Sequence, residues 1–236
     1  LDGCLESGTL GMVGDGASPK KYLIGLEAIK KRGGLGIPIF KPREYNLDII
    51  KRFKAAEDAG AVAVGIDIDA ASFKTMTLKG QAVGPKTIAE LQELKSHLKV
   101  PFILKGIMNV ESALAAIEAG ADAIVVSNHG GRVMDHMPGT AEVLPGIANA
   151  VGGRVKVLVD GGIREGIDIL KMLALGADAV MIGRPVCIAV FGAGQEGVSF
   201  YLQEKLNELK KAMILTGCGS IGRIDPSIIF RKKGDR

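Results

Sequence analysis

The 236-residue chain has no tryptophan, and aromatic residues make up only 4% of it. A sparse aromatic complement beside many Ala, Val, Ile and Gly argues against a β-sandwich and for buried parallel strands alternating with helices. Its three cysteines, Cys4, Cys187 and Cys218, are far apart and show no Cys-x-x-Cys spacing. That excludes a disulfide framework and a zinc ribbon, so free thiols in a reducing compartment, and no metal, are expected. No apolar run of membrane-spanning length and no signal-peptide pattern occurs, which predicts a cytoplasmic protein with no membrane association. A net charge of +4 is mild, and no basic stripe interleaves with aromatics; a small anionic ligand suits this balance better than nucleic acid. The basic run at 231–233 reads as part of a solvated tail, 231–236. The first residue is Leu1 rather than Met, as expected of a processed or truncated product.

Glycine is what the chain has in excess, with 33 residues, about twice the usual ~7%. Many fall in an internal repeat: Ala59-Gly60-Ala61-Val62, Ala119-Gly120-Ala121-Asp122 and Leu175-Gly176-Ala177-Asp178, with a weaker copy at Ser7-Gly8-Thr9-Leu10. Each copy says that a helix ends at a left-handed glycine and a buried strand begins. Strands are predicted near 9–13, 35–40, 61–67, 101–105, 122–127, 156–160 and 178–182. Helical periodicity fills 22–31, 47–59, 87–98, 110–119, 141–151 and 166–175, and an outer helix is expected over 197–215. With no linker or shift in composition, one domain over 1–236 is predicted. Seven strands are one short of a closed (β/α)8 barrel, whose phosphate loops usually follow its last two strands. Counting back from the two glycine-arginine loops makes the strand near 9–13 the second, so strand one is expected upstream of Leu1.

The chemistry is expected where strands end in polar residues, because the loops leaving those ends converge on one face of a parallel α/β fold. The apolar run 123–126 is followed by Ser127-Asn128-His129-Gly130-Gly131-Arg132, which joins an imidazole to a cation suited to a carboxylate. Lys105 ends the strand begun by Phe102-Ile103-Leu104, where it can pair with an acid or stabilise negative charge on a cofactor. Asp67 ends the neighbouring strand and is placed to orient His129 as a general base, or else to cap a turn. Asp160-Gly161-Gly162-Ile163-Arg164 and Gly183-Arg184-Pro185 each set glycine and arginine before a helix, as an anion site requires. His97 and His136 are weaker candidates, one at a polar helix end and one in a loop.

These motifs, with Leu104-Lys105-Gly106 upstream, resemble the FMN-dependent 2-hydroxy-acid oxidase and dehydrogenase family, which includes glycolate and lactate oxidases. The likeness is close from about 100 to 217 and looser from 1 to 81. It implies a TIM barrel holding FMN at its C-terminal mouth, a small L-2-hydroxy acid as substrate and a homo-oligomer. By that resemblance His129 is the base, Asp67 its partner and Arg132 the carboxylate clamp, while Lys105 lies beside flavin N1 and O2. Ser127, Asp160, Gly161, Gly162, Arg164, Gly183 and Arg184 are the cofactor-binding set.

Departures accompany the likeness. The family's substrate tyrosine at the end of the third strand is replaced by Pro38, and Ile68-Asp69-Ala70-Ala71 lacks the usual proline. A related flavin barrel with another activity, such as a type-two isopentenyl diphosphate isomerase, and a weakly catalytic flavin-binding protein are the alternatives.

Overall fold

Gly60, Gly120 and Gly176 have φ of 79°, 84° and 109°, a left-handed conformation open to glycine without steric cost. The structure, a computed structural model, describes residues 1–230; the predicted tail at 231–236 lies outside the described residues. A short helix, α1 (Asp2–Glu6), precedes β1 (Met12–Gly14), α2 (Pro19–Lys31), β2 (Ile37–Phe40), α3 (Asn46–Asp58) and β3 (Val64–Asp67). β3 passes into a single 3-10 turn, Ile68–Ala70, and a one-turn helix, α4 (Lys74–Thr77), before α5 (Ile88–Ser96) and β4 (Phe102–Ile107). There follow α6 (Val110–Glu118), β5 (Ala123–Val126), α7 (Thr140–Val151), β6 (Lys156–Val159), α8 (Gly166–Ala174), β7 (Ala179–Val180) and α9 (Arg184–Leu215).

The seven strands form one parallel sheet in chain order, a TIM-barrel-like α/β fold. Among the described residues no ladder joins β7 to β1. The repeated aspartates explain how neighbouring strands keep register. Asp122, just ahead of β5, accepts the backbone N–H of Phe102 at the start of β4 at 2.7 Å. Asp178, just ahead of β7, does the same for Val157 of β6 at 2.8 Å. Lys95 and Lys156 hold the two carboxylates from outside. The first repeat has Val62 at the matching position, which offers no carboxylate to the strand before it.

Period-two burial divides the apolar residues into two layers. Ile37, Ile39, Ala63, Ile103, Ala123 and Val125 fill the concave side of the sheet with Met12, Leu158 and Met181. The alternate residues, among them Phe40, Ile66, Leu104, Ile124 and Val159, pack under the helices. Phe40, Phe53 and Phe102 form a chain of one tilted and one edge-to-face contact in that outer layer, with ring centroids about 6 Å apart, so few aromatics suffice for it. Helix starts are capped where the sequence allows, as at Thr87, whose side chain and Glu90 form a reciprocal capping box.

One expectation needs correction. The strands expected from residues 9 and 61 start at Met12 and Val64, because the intervening N–H groups turn back to close the preceding helix: Thr9 bonds Cys4 and Ala61 bonds Ala56. Within α9 the backbone leaves helical geometry at Ala193 and Gly194, so a first helical stretch from Arg184, with Pro185 in its first turn, precedes the outer helix expected over 197–215.

Candidate active site

The alternation that builds the apolar interior also selects what stands at its upper rim. Two residues beyond Ile39 is Lys41, two beyond Gly65 is Asp67, two beyond Ile103 is Lys105, two beyond Val125 is Ser127, and two beyond Leu158 is Asp160. These five side chains come together. Lys41 Nζ lies 2.5 Å from Asp67 Oδ2, and Lys105 Nζ donates to Asp67 Oδ1 at 3.2 Å and to Ser127 Oγ at 3.0 Å. Asp160 Oδ2 is 3.6 Å from the same ammonium. Burial by itself raises the Asp67 carboxyl, but Lys105, Lys41 and His129 outweigh it and hold its pKa down to about 2. Burial likewise works against the charged form of Lys105, and Asp67, Asp160 and Asp69 more than reverse that, so its pKa is raised.

His129 follows β5 in the left-handed conformation, with φ of 57°, and its N–H donates to Ser127 Oγ at 3.1 Å. Its Nδ1 lies 3.6 Å from Asp67 but 3.1 and 3.2 Å from the two oxygens of Asp69. Asp67, assigned by resemblance as the partner of His129, is therefore the more distant of two carboxylates. Asp69 sits on the 3-10 turn after β3. Burial raises its pKa, and the charge of Asp67 adds to this, while His129 and Lys105 oppose it.

Phe73 closes the group from the side. Its ring centroid is 4.9 Å from that of His129, with Lys41 Nζ and the Arg132 guanidinium each 5.0 Å from it. Arg132 is exposed and stacks on this ring; among the described residues it has no carboxylate within 4.0 Å. His97 ends α5 and His136 lies in the loop before α7, both away from the cluster.

The two glycine-arginine loops lie beside this rim. Asn128, Gly130, Gly161, Gly162, Ile163 and Arg184 are among the residues around a cavity of about 530 Å³. Gly162 and Gly183 have no atom within 4 Å of where a Cβ would stand. Arg164 and Arg184 face a common hollow with Tyr201, and among the described residues neither guanidinium pairs with a carboxylate. Asp160 Oδ1 is buried without a hydrogen-bond partner. An acceptor awaiting a hydroxyl, bare backbone at two loops and two unpaired guanidiniums fit a sugar-phosphate ligand such as the ribityl phosphate of FMN. The case for a metal is weaker. Asp67, Asp69 and His129 bring ligand atoms within 4.8 Å of one another, yet both oxygens of Asp67 already face ammonium groups.

Sequence reasoning missed Lys41, Asp69 and Phe73. Lys41 was accessible from the alternation Ile37, Ile39, Lys41; Asp69 lies on a 3-10 turn and Phe73 at the N-cap of α4, where a period of two gives no guidance.

A TIM-barrel-like α/β fold with its polar residues gathered at the strand C-termini is the class of molecule these observations define. A family model described as FMN-dependent dehydrogenase matches residues 69–231, and the chain belongs to that family. A peroxisomal (S)-2-hydroxyacid oxidase of Arabidopsis thaliana is 34% identical over 221 residues, covering 79% of this chain and 60% of that protein. An L-lactate oxidase of Lactobacillus jensenii is 42% identical over 202 residues, covering 83% and 49%. The chain thus spans about half to three-fifths of the length of these curated relatives. Among solved structures, mandelate oxidase with (S)-2-phenylpropionate superposes with a TM-score of 0.82 at 35% identity, over 95% of this chain and 70% of that one.

Proposed function

We propose that the chain is the flavin-binding barrel of an FMN-dependent oxidoreductase that converts a small L-2-hydroxy acid to the 2-keto acid. The observation that carries this reading is an imidazole with its Nδ1 held by carboxylate, set beside buried Lys105 at the same strand ends that carry the glycine-arginine cradle. Arg164, Arg184 and the backbone of Gly161, Gly162 and Gly183 would hold the phosphate, Asp160 would accept from the polyol, and Ser127 and Lys105 would contact the flavin.

Oxidation of R–CH(OH)–COO⁻ to R–CO–COO⁻ releases two electrons and two protons. FMN, when bound, supplies the acceptor for the electron pair and one proton. His129 takes the other proton at Nε2, since Nδ1–H is committed to carboxylate. Lys105 places a fixed positive charge where negative charge develops, in a site buried enough to strengthen the interaction. Arg132 pairs with the substrate carboxylate; it shares Phe73 as a neighbour with His129, which puts cation and base on one substrate-sized site.

The wider architecture belongs to the same proposal. One barrel domain spans the chain, and an eighth strand completes it between β7 and β1, whose facing edges carry no ladder among the described residues. Exposed Ile188, Phe191 and Phe200 on α9 favour a homo-oligomer. Three unpaired cysteines favour the cytoplasm; among the described residues no helix is long and apolar enough to cross a membrane.

The test is anaerobic. The purified chain, loaded with FMN, is mixed with glycolate, L-lactate and L-mandelate while flavin absorbance is followed. Bleaching by at least one acid is expected. Stable FMN binding with no bleaching by any of them refutes the oxidase reading and leaves a flavin-binding barrel.

A further inference from the structure

Alternation along β2 sends its last inward side chain to the rim of the mouth. Pro38, which stands in the place of the family's substrate tyrosine, lies between Ile37 and Ile39, and both of these face the interior, so its ring turns to the helix side. The next inward residue after Ile39 is Lys41. Its side chain is nine-tenths buried, and among the described residues its ammonium has one hydrogen-bond acceptor, Asp67 Oδ2. An ammonium carries three N–H donors, and burying a charge that is not fully partnered is costly. We propose that Lys41 is a substrate-binding residue that shares the carboxylate of a small 2-hydroxy monocarboxylic acid with Arg132. This rests on the reading of the rim as an oxidase site.

The acids of the rim do not balance Lys41. Asp67 divides its charge between Lys41 and Lys105, and the other two carboxylates face elsewhere, Asp160 towards Lys105 and Asp69 towards His129. An anion beside Lys41 supplies what is missing. The position is also held from behind. Asp15, whose side chain is fully buried, accepts the backbone N–H of Lys41 at 3.2 Å and the Arg43 guanidinium at 2.7 Å, and donates its own N–H to the Ile39 carbonyl at 2.9 Å. With the backbone fixed by Asp15 and the ammonium by Asp67, little side-chain freedom remains to be lost on binding. Phe73 joins this cation to the second one. Lys41 Nζ and the Arg132 guanidinium each lie 5.0 Å from the centre of its ring, and the His129 ring lies 4.9 Å from it. The hydroxyl-bearing carbon of the acid is bonded directly to its carboxylate, so an anion held by these two cations keeps the reacting carbon beside the imidazole.

Binding and turnover are measured separately on the full chain loaded with FMN. Pyruvate has no hydroxyl to oxidise, so titration calorimetry with it reads the anion site alone; L-lactate and L-malate report flavin reduction without oxygen. Lys41→Met should weaken pyruvate binding and raise KM for L-lactate about ten- to a hundredfold, the loss of one hydrogen bond to a charged group. Because that interaction holds substrate and transition state alike, kcat should move less than about threefold, with FMN still bound. Lys41→Gln removes the charge but keeps a donor; it should show the same split in the same direction, and it decides if Lys41→Met does not fold. The proposal is overturned by a parent that binds no pyruvate, by pyruvate affinity and KM unchanged in the variants, or by a fall in kcat or FMN affinity with KM intact, which a merely structural ion pair would give. A loss confined to L-malate also overturns it, since Lys41 would then serve a second carboxylate. Failure of the oxidase reading looks different: pyruvate binding that depends on Lys41, in a chain that no 2-hydroxy acid reduces, keeps the anion site and removes the oxidase.

Discussion

Asp67 is the keystone of the charged rim, and removing its charge while keeping its volume isolates what that charge contributes. In Asp67→Asn two buried ammoniums, Lys41 and Lys105, lose their shared counter-ion. The folded-state pKa is held down from an ordinary 3.8 to about 2. That difference corresponds to about 2 kcal/mol of stability at neutral pH. Because the folded pKa is depressed, this contribution is present above the unfolded value and is lost as pH falls through the folded one. By the same linkage relation roughly half of it remains at pH 3 and almost none at pH 1. Urea unfolding of parent and variant at pH 7, 5, 4 and 3, read by far-ultraviolet circular dichroism, should show the gap constant from 7 to 5 and narrowing to about half by pH 3. A gap that stays the same down to pH 3 refutes the reasoning, since it would place the cost in packing rather than in charge.

His129→Gln should keep FMN bound but slow anaerobic flavin reduction by ~10²–10⁴, the usual loss for a general base; stopped-flow absorbance measures it, and an unchanged rate removes His129 from the chemistry. Replacing Arg164 and Arg184 together by alanine should release FMN while leaving the far-ultraviolet spectrum intact, as ultrafiltration shows by yellow colour in the filtrate. Colour retained with the protein puts the phosphate elsewhere.

Most of the architecture is legible in the sequence because one grammar recurs: a left-handed glycine, a small residue and an apolar strand. A repeat averages out local ambiguity, so each strand appeared in its expected place, and errors were confined to ends that hydrogen bonds of the preceding helix consume. The helical stretch from Arg184 that precedes the break at Ala193 and Gly194 was not expected; it is apolar around 185–191, a composition without amphipathic period, and only packing reveals it as helix. At the site, Lys105, Asp67, Ser127 and Asp160 were legible because they end strands. His129 and Arg132 were legible from residue type and neighbourhood. Asp69 and Phe73 depend on how a 3-10 turn folds back over β4, where it comes close to the backbone of Gly106, and no local signature in the sequence marks that approach.

The aspartates ahead of β5 and β7 carry a consequence at the opposite end of the sheet. A strand in a parallel ladder can slip by two residues without turning its side chains over, and such a slip would carry Lys105 away from Asp67 by about 7 Å. Asp122 and Asp178 pin the first peptide of the preceding strand to one position, so the slip is forbidden at the floor of the barrel, far from any substrate. Precision at the mouth is thereby delegated to residues that never meet the ligand, which leaves the mouth at liberty to vary: the place of a tyrosine can pass to Pro38, and the usual proline can be missing from 68–71, while the frame that aligns the reacting groups stays as it was.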